Sequence, residues 1–188
     1  MVQGARREVI DVMLHPITLA DLDTIATLHA TSWRRAYRGI LGDDYLDGDL
    51  LSERTAVWRE KLTDGVGHGW IVRSASEPAG FVFVRPREDA HWGTLVDNLH
   101  VLPAYQGSGL GRRLLQEVAS WCALHSPEAG VYLWVFTDNA SARRFYARAG
   151  GVEVEAVEQL ASDGRVLPEL RVAWRTPQAL MDGARVRI

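Results

Sequence analysis

Apolar and polar positions along the chain change period several times, and each change marks an element. Residues 9–18, VIDVMLHPIT, alternate well enough for a first strand. Thr18 and Asp21 then make the pattern of a capping box, with Asp in place of the usual Glu. Leu22, Ile25, Ala26, His29 and Trp33 follow at helical spacing. A Gly/Asp-rich connector at 38–50 leads to a second helix at 52–62. Two short strands, 69–74 and 80–86, flank the turn ASEPAG, and a longer strand at 92–102 is stopped by Pro103, which has no N–H to give a ladder.

A glycine loop follows, then a helix at about 109–125 with Leu110, Leu114, Val118 and Cys122 on one face. VYLWVF, 131–136, reads as a central strand covered on both faces. NASARRFYARAG, from 139, reads as a helix capped by Gly150. The strands 152–160 and 166–174 flank Ser162-Asp163-Gly164-Arg165, a hairpin signal. The order β α α β β β α β α β β predicts a mixed α/β sheet of six to seven strands with about four helices. With no internal repeat or linker, we expect one domain over 1–188, its core about 9–175 and a tail at 176–188.

Composition narrows the function classes. Hydrophobic residues make up 47% and charged residues 24%, as in an ordinary soluble domain. The net charge of −3 gives no basic footprint for nucleic acid. No apolar run reaches signal-peptide or membrane-spanning length, so a cytoplasmic protein with no membrane partner is expected. The one cysteine, Cys122, excludes an intrachain disulfide and a multi-cysteine metal site; no metal is expected. Of the 21 basic residues only Lys61 is lysine, which we read as genome composition.

YQGSGLGRRLL, from Tyr105 to Leu115, carries the chemistry. Gly107, Gly109 and Gly111 lie between a strand and a helix, and Arg112 and Arg113 follow. The first N–H groups of a helix have no internal partners and favour an anion. Glycines let main chain approach a phosphate closely. Cations in a first helical turn oppose the dipole, unless an anion is bound there. A P-loop would need Lys-Ser/Thr after its last glycine, and a dinucleotide fingerprint would need glycine where Arg112 stands.

VLPAYQGSGLGRRLL resembles the acetyl-CoA signature of the GNAT superfamily of N-acetyltransferases, Gln/Arg-x-x-Gly-x-Gly/Ala, through Gln106, Gly109 and Gly111. FTDNASARRFYARAGG is similar to a second family block, Asn-x-x-Ala-x-x-Phe-Tyr-x-x-x-Gly, through Asn139, Ala142, Phe145, Tyr146 and Gly150. The element order from 9 to 175 matches the family fold, and SWRRAYRGIL, 32–41, is similar to its α1–α2 region.

The resemblance implies central parallel strands that splay apart, with the pantetheine arm of acetyl-CoA in the gap beside Leu99, His100 and Val101. The pyrophosphate is then expected on Gly107, Ser108, Gly109, Leu110, Gly111 and Arg112, after Gln106, with the arginines facing phosphate and Asn139 near the pantetheine amides. Acetyl transfer through a ternary complex needs a neutral amine, an oxyanion partner and an acid for the thiolate. Those roles fall to a base, the Val101 N–H and Tyr146. Asp97, on the strand face expected to hold Leu95, Leu99 and Val101, is the candidate base, with a water relay, His100 or His29 as alternatives. Many family members carry their acidic residue two positions earlier, where this chain has Leu95. Trp33, Tyr37 and Arg38 are placed to wall the acceptor side, and Cys122 is expected to be a buried structural thiol. The acceptor is an amine, small or peptidic; a homodimer is compatible with the resemblance.

Overall fold

The computed structural model of the chain describes residues 12–185. In chain order the elements are β1 (Val12–Pro16), α1 (Leu22–Ala36), α2 (Asp43–Asp47), α3 (Leu50–Thr63), β2 (His68–Ser74), β3 (Glu77–Asp89), β4 (Gly93–Val101), α4 (Leu110–His125), β5 (Val131–Phe136), α5 (Ala140–Arg148), β6 (Val152–Leu160), β7 (Val166–Trp174) and α6 (Pro177–Ala184). The first-strand expectation at 9–11 lies outside the described residues. The Thr18–Asp21 capping box is present, ahead of a 3-10 turn that leads into α1.

The strands form one sheet in the order β1–β2–β3–β4–β5–β7–β6. Every neighbouring pair is antiparallel except β4 and β5. Parallel strands cannot be joined by a hairpin, and α4 makes the crossover. The period-2 alternation of β3 shows how the layers are built. Val82 and Val84 point into a core shared with Leu114, Leu115 and Val118 of α4. Phe81 and Phe83 point the other way, onto Ile25 and Leu28 of α1 and Trp58 of α3.

Two helices exceed the expected four. The connector contains α2, a short helix with Asp43 and Asp44 in its first turn, where negative charge suits the dipole. The expected tail contains α6. Thr176 caps it by accepting from the Ala179 N–H at 3.1 Å, Pro177 occupies its first turn, and Leu180 is fully buried. The ASEPAG turn contracts to Ala75 and Ser76, both at positive φ (47° and 73°), as a two-residue hairpin turn demands even without glycine. Gly150 ends α5 at φ 79°. Its N–H bonds Ala147 O at 3.0 Å, and the Gly151 N–H bonds Tyr146 O at 2.9 Å, a Schellman closure.

Among the described residues no helix is long and apolar enough to cross a membrane.

Candidate active site

Strands β4 and β5 pair only at Thr94–Val131 and Leu95–Tyr132. Beyond that point they part, and the β5-facing edge of β4 is open. Leu102 N–H bonds Ala79 O at 2.8 Å. Antiparallel ladders alternate, so His100 exchanges bonds with Phe81, while the main-chain groups of Leu99 and Val101 turn toward the gap. Gln106 Nε2 donates to Val101 O at 3.1 Å and so ties the loop to the end of the strand.

The glycine loop closes one end of this gap. Gly107 and Gly109 sit at φ 78° and 94°, a region that favours glycine. The space around both is open: an added Cβ would meet nothing within 4 Å. Gly111 serves a different purpose, because a Cβ there would come within 3.0 Å of the Phe145 ring. It lets α4 and α5 pack closely. The N–H groups of Gly107, Gly109, Leu110, Gly111 and Arg112 have no acceptor among the described residues; the helix ladder resumes at Arg113, which bonds Gly109 O at 3.1 Å. They form a cradle of free N–H donors at a helix N-terminus, an arrangement that favours an anion.

The arginine expectation needs correction. Arg112 does not turn its guanidinium to the cradle. Nη1 donates to Gly183 O at 3.0 Å and Arg185 O at 3.2 Å, and Nη2 donates to Arg148 O at 3.0 Å. These carbonyls end α5 and α6, where a cation is favoured. Arg113 is exposed.

A cavity of about 680 Å³ joins cradle and gap. Of the sequence-identified residues, Tyr37, Leu99, His100, Val101, Gln106, Gly107, Gly109, Leu110, Gly111, Arg112, Asn139 and Tyr146 line it. Ser108, Trp33 and Asp97 do not. Ser108 is exposed, its hydroxyl donating to Tyr105 O at 2.5 Å. Trp33 packs edge-on to His29 and Tyr37, with the Arg54 guanidinium 4.4 Å from its ring centre, and so buttresses the Tyr37 wall. Arg38 faces away and pairs with Asp43 and Asp47.

Asp97 departs from the expected face for a local reason. Phe83 opposes Asn98 and Val84 opposes Val96, so Asp97 is the extra residue of a bulge. The bulge resets the alternation. Val96, Leu99 and Val101 pack on the α4 side, whereas the Asp97 carboxylate pairs with Lys61 of α3 on the opposite side.

Tyr146 is 8% exposed and packs against Phe145 and Trp174. Its hydroxyl has no protein partner among the described residues. Burial, then Tyr37, raises its pKa above the ordinary tyrosine value, so the phenol is protonated at neutral pH. Asn139 Oδ1 accepts from the Ala142 N–H at 3.1 Å and caps α5.

Across the cavity, Ser32 Oγ lies 2.9 Å from His100 Nδ1. Behind them Trp58 Nε1–H donates to His29 Nδ1 at 2.8 Å. An indole nitrogen only donates. His29 is therefore the Nε2–H tautomer, and that buried N–H lacks a partner among the described residues. Burial, then Lys61, pushes His100 down to about 4; burial, then His100, lowers His29 well below 6.5. Both are neutral at pH 7. The loop after α1 is strapped to the β6–β7 turn, since Gly42 N–H donates to Asp163 Oδ2 at 2.8 Å and Arg165 Nη2 to Ile40 O at 2.5 Å.

Residues 27–151 match the acetyltransferase (GNAT) family. The chain belongs to the GNAT acetyltransferases. It is 34% identical over 133 residues to "Probable N-acetyltransferase Rv2775" of Mycobacterium tuberculosis, covering 68% of this chain and 72% of that one. An uncharacterized N-acetyltransferase of Bacillus subtilis, YuaI, is 27% identical over 176 residues, 90% of this chain and 96% of that one. The fold matches PaiA N-acetyltransferase of Thermoplasma acidophilum in complex with coenzyme A (TM-score 0.63, 16% identity, 85% of this chain and 98% of that one). It also matches a variant of the spermidine N-acetyltransferase SpeG of Vibrio cholerae (TM-score 0.64, 18% identity, 93% and 98%).

The wall of this GNAT cavity also includes Ser32, Arg35, Trp134 and Arg148, which sequence reasoning missed. Trp134 was findable. It alternates with Leu133 and Val135 on the strand after the splay, so it had to face the other layer. Ser32 and Arg35 lie in the SWRRAYRGIL segment and Arg148 in the second family block, but at positions that neither pattern specifies.

Proposed function

We propose that the chain transfers acetyl from acetyl-CoA directly to an amine held between α1 and β5. The observation that carries this reading is the continuity of one cavity. It links the N–H cradle, the open edge of β4 at Leu99 and Val101, the Tyr146 hydroxyl and the Ser32–Tyr37 wall. The cradle N–H groups fit a diphosphate, and the open edge of β4 fits the amides of a pantetheine arm. Arg148, which lines the cavity, is the cation we assign to the remaining phosphate.

The acceptor nitrogen attacks the thioester carbonyl, the carbon–sulfur bond breaks, and the amine loses one proton as the thiolate gains one. The Val101 N–H, turned into the gap, serves the oxyanion. Tyr146 donates to the departing sulfur; its raised pKa keeps the proton available. Removing a proton from an alkylammonium at pH 7 costs roughly 4–5 kcal/mol. Asp97 is held by Lys61 away from the cavity wall, so a water relay beside the Ser32–His100 pair carries the acceptor's proton to solvent. His100, lowered to about 4, stays neutral and can orient that water by hydrogen bonding, but is too weak a base to hold the proton itself.

Direct transfer is supported by Cys122, which is 1% exposed in the α4-side core and absent from the cavity wall. Burial pushes its thiol up to about 11, the reverse of what a covalent carrier needs. A domain that binds acyl-CoA without turnover has no use for a free hydroxyl at Tyr146. The test is release of free thiol from acetyl-CoA by the purified protein over a panel of primary amines. Amine-dependent thiol with a matching acetylated amine is the expected result. Acetyl-CoA binding without thiol release for every amine would replace this reading with the binding role.

A further inference from the structure

Glu169 of β7 is a carboxylate that the acetyl-transfer chemistry leaves unused. It is half-buried, and among the described residues no cation or hydrogen-bond donor meets it. Its neighbours differ. Glu153 holds Arg143, Glu155 and Asp89 share Arg171, and Asp163 holds Arg165. A half-buried charge costs free energy until something of opposite charge covers it.

The surroundings point to what that is. Glu169 stands directly across from Phe136 in the β5–β7 ladder, on the sheet face that also carries Trp134. The Tyr37 ring packs edge-on to Phe136 at 5.1 Å. Tyr37 lines the cavity, and its pKa is pushed up to about 12 by burial and then by the Glu169 charge. Tyr37 and Phe136 thus lead from the cavity toward this carboxylate; Trp134 takes no part, because the Arg171 guanidinium already lies 4.4 Å from its ring centre. Aromatic faces beside a carboxylate are the chemistry that binds an ammonium group.

We propose that Glu169 selects acceptors carrying a second ammonium group, of the α,ω-diamine class, by holding the end that does not react. The reacting nitrogen is not the one it holds. A carboxylate beside that nitrogen would keep it protonated and non-nucleophilic, and Glu169 lies past Tyr37 and Phe136, off the wall that carries Tyr146. Arg35, which also lines the cavity, does not change the choice. It is exposed and solvated, so it gains little from a ligand carboxylate.

This inference rests on the acetyl-transfer reading, and two measurements separate their failures. The first is kcat/KM for C3–C5 diamines against n-alkylamines that carry a methyl group in place of the second ammonium. Wild type should favour the diamine by about ten-fold or more, and the ratio should collapse toward one in Glu169→Gln. Glu169→Asp, which keeps the charge, should restore part of it, and serves if the Gln variant folds poorly. A wild-type ratio near one, or an unchanged ratio in Glu169→Gln, overturns the inference while leaving acetyl transfer intact. The second is calorimetric titration of 1,4-diaminobutane into the CoA-saturated protein. Binding that weakens about ten-fold in Glu169→Gln supports the inference even where no amine is turned over. Equal binding to both proteins overturns it.

Discussion

On the glycine-loop side the cavity wall is mostly main chain; on the α1 side it is mostly side chains. The cradle presents N–H groups from Gly107 to Arg112, and the open edge of β4 presents the main chain of Leu99 and Val101. Opposite them stand Ser32, His100, Tyr37 and Trp134, with Glu169 beyond. A main-chain wall recognises a ligand that does not vary, because its donors depend on backbone shape and not on residue identity. A side-chain wall can change its acceptor by substitution without disturbing the fold. The difference explains why the two halves respond to different perturbations.

The largest stability effect should come from acid on the side-chain half. An unfolded histidine binds a proton near 6.5, whereas His100 in the fold does so only at about 4. Between those values the unfolded chain holds more protons, so stability falls as pH falls from about 6.5 toward 4. The shift corresponds to a loss on the order of 3 kcal/mol from this group, and His29 acts in the same direction. Melting temperature followed against pH should show the decline, and His100→Gln should flatten it. A flat wild-type profile across that window would contradict the burial of the pair.

Arg112→Ala should come next, at about 2 kcal/mol, because three main-chain carbonyls at two helix ends lose a charged donor. Denaturant unfolding measures it. A loss confined to acetyl-CoA affinity, with no change in stability, would return the guanidinium to the phosphate. Gly109→Val forces a branched side chain to φ 94° and should cost about 1–2 kcal/mol. It should also weaken coenzyme A binding by ten-fold or more as the cradle distorts, read by calorimetry. Full affinity in the folded variant would break the main-chain account of that half. Cys122→Ala should be the mildest, about 1 kcal/mol of packing with turnover retained. Abolished turnover in a folded Cys122→Ala protein would reopen a covalent route.

The same contrast governs what could be read from the chain alone. The loop, the helix that follows it and the hairpin at Ser162–Arg165 are local. Glycine spacing, helical periodicity and turn residues specify them, and the structure places them within a residue or two. Asp97 was misplaced because a bulge is one extra residue in a strand, and alternation counted along the sequence passes straight through it. The role of Arg112 depends on the ends of α5 and α6 meeting beside it, some 36 and 71 residues further on. Helix α6 had a readable start, since Thr176-Pro177 is a cap followed by a first-turn proline. Glu169 had no local signal, and Ser32 lay in the SWRRAYRGIL segment with nothing to mark its role. Their setting exists only once β7 has been inserted beside β5 and α1 has been laid over β4.

The central claim is that the two halves meet at Tyr146, whose proton serves the departing thiolate. Tyr146→Phe removes the hydroxyl and keeps the ring against Phe145 and Trp174. The variant should fold and bind acetyl-CoA nearly as wild type does. The most direct measurement is its kcat with acyl donors of decreasing thiol pKa. With acetyl-CoA, kcat should fall on the order of 10²-fold or more, and the deficit should shrink as the leaving thiol becomes more acidic. A Tyr146→Phe protein that turns over acetyl-CoA at close to the wild-type rate would contradict the account.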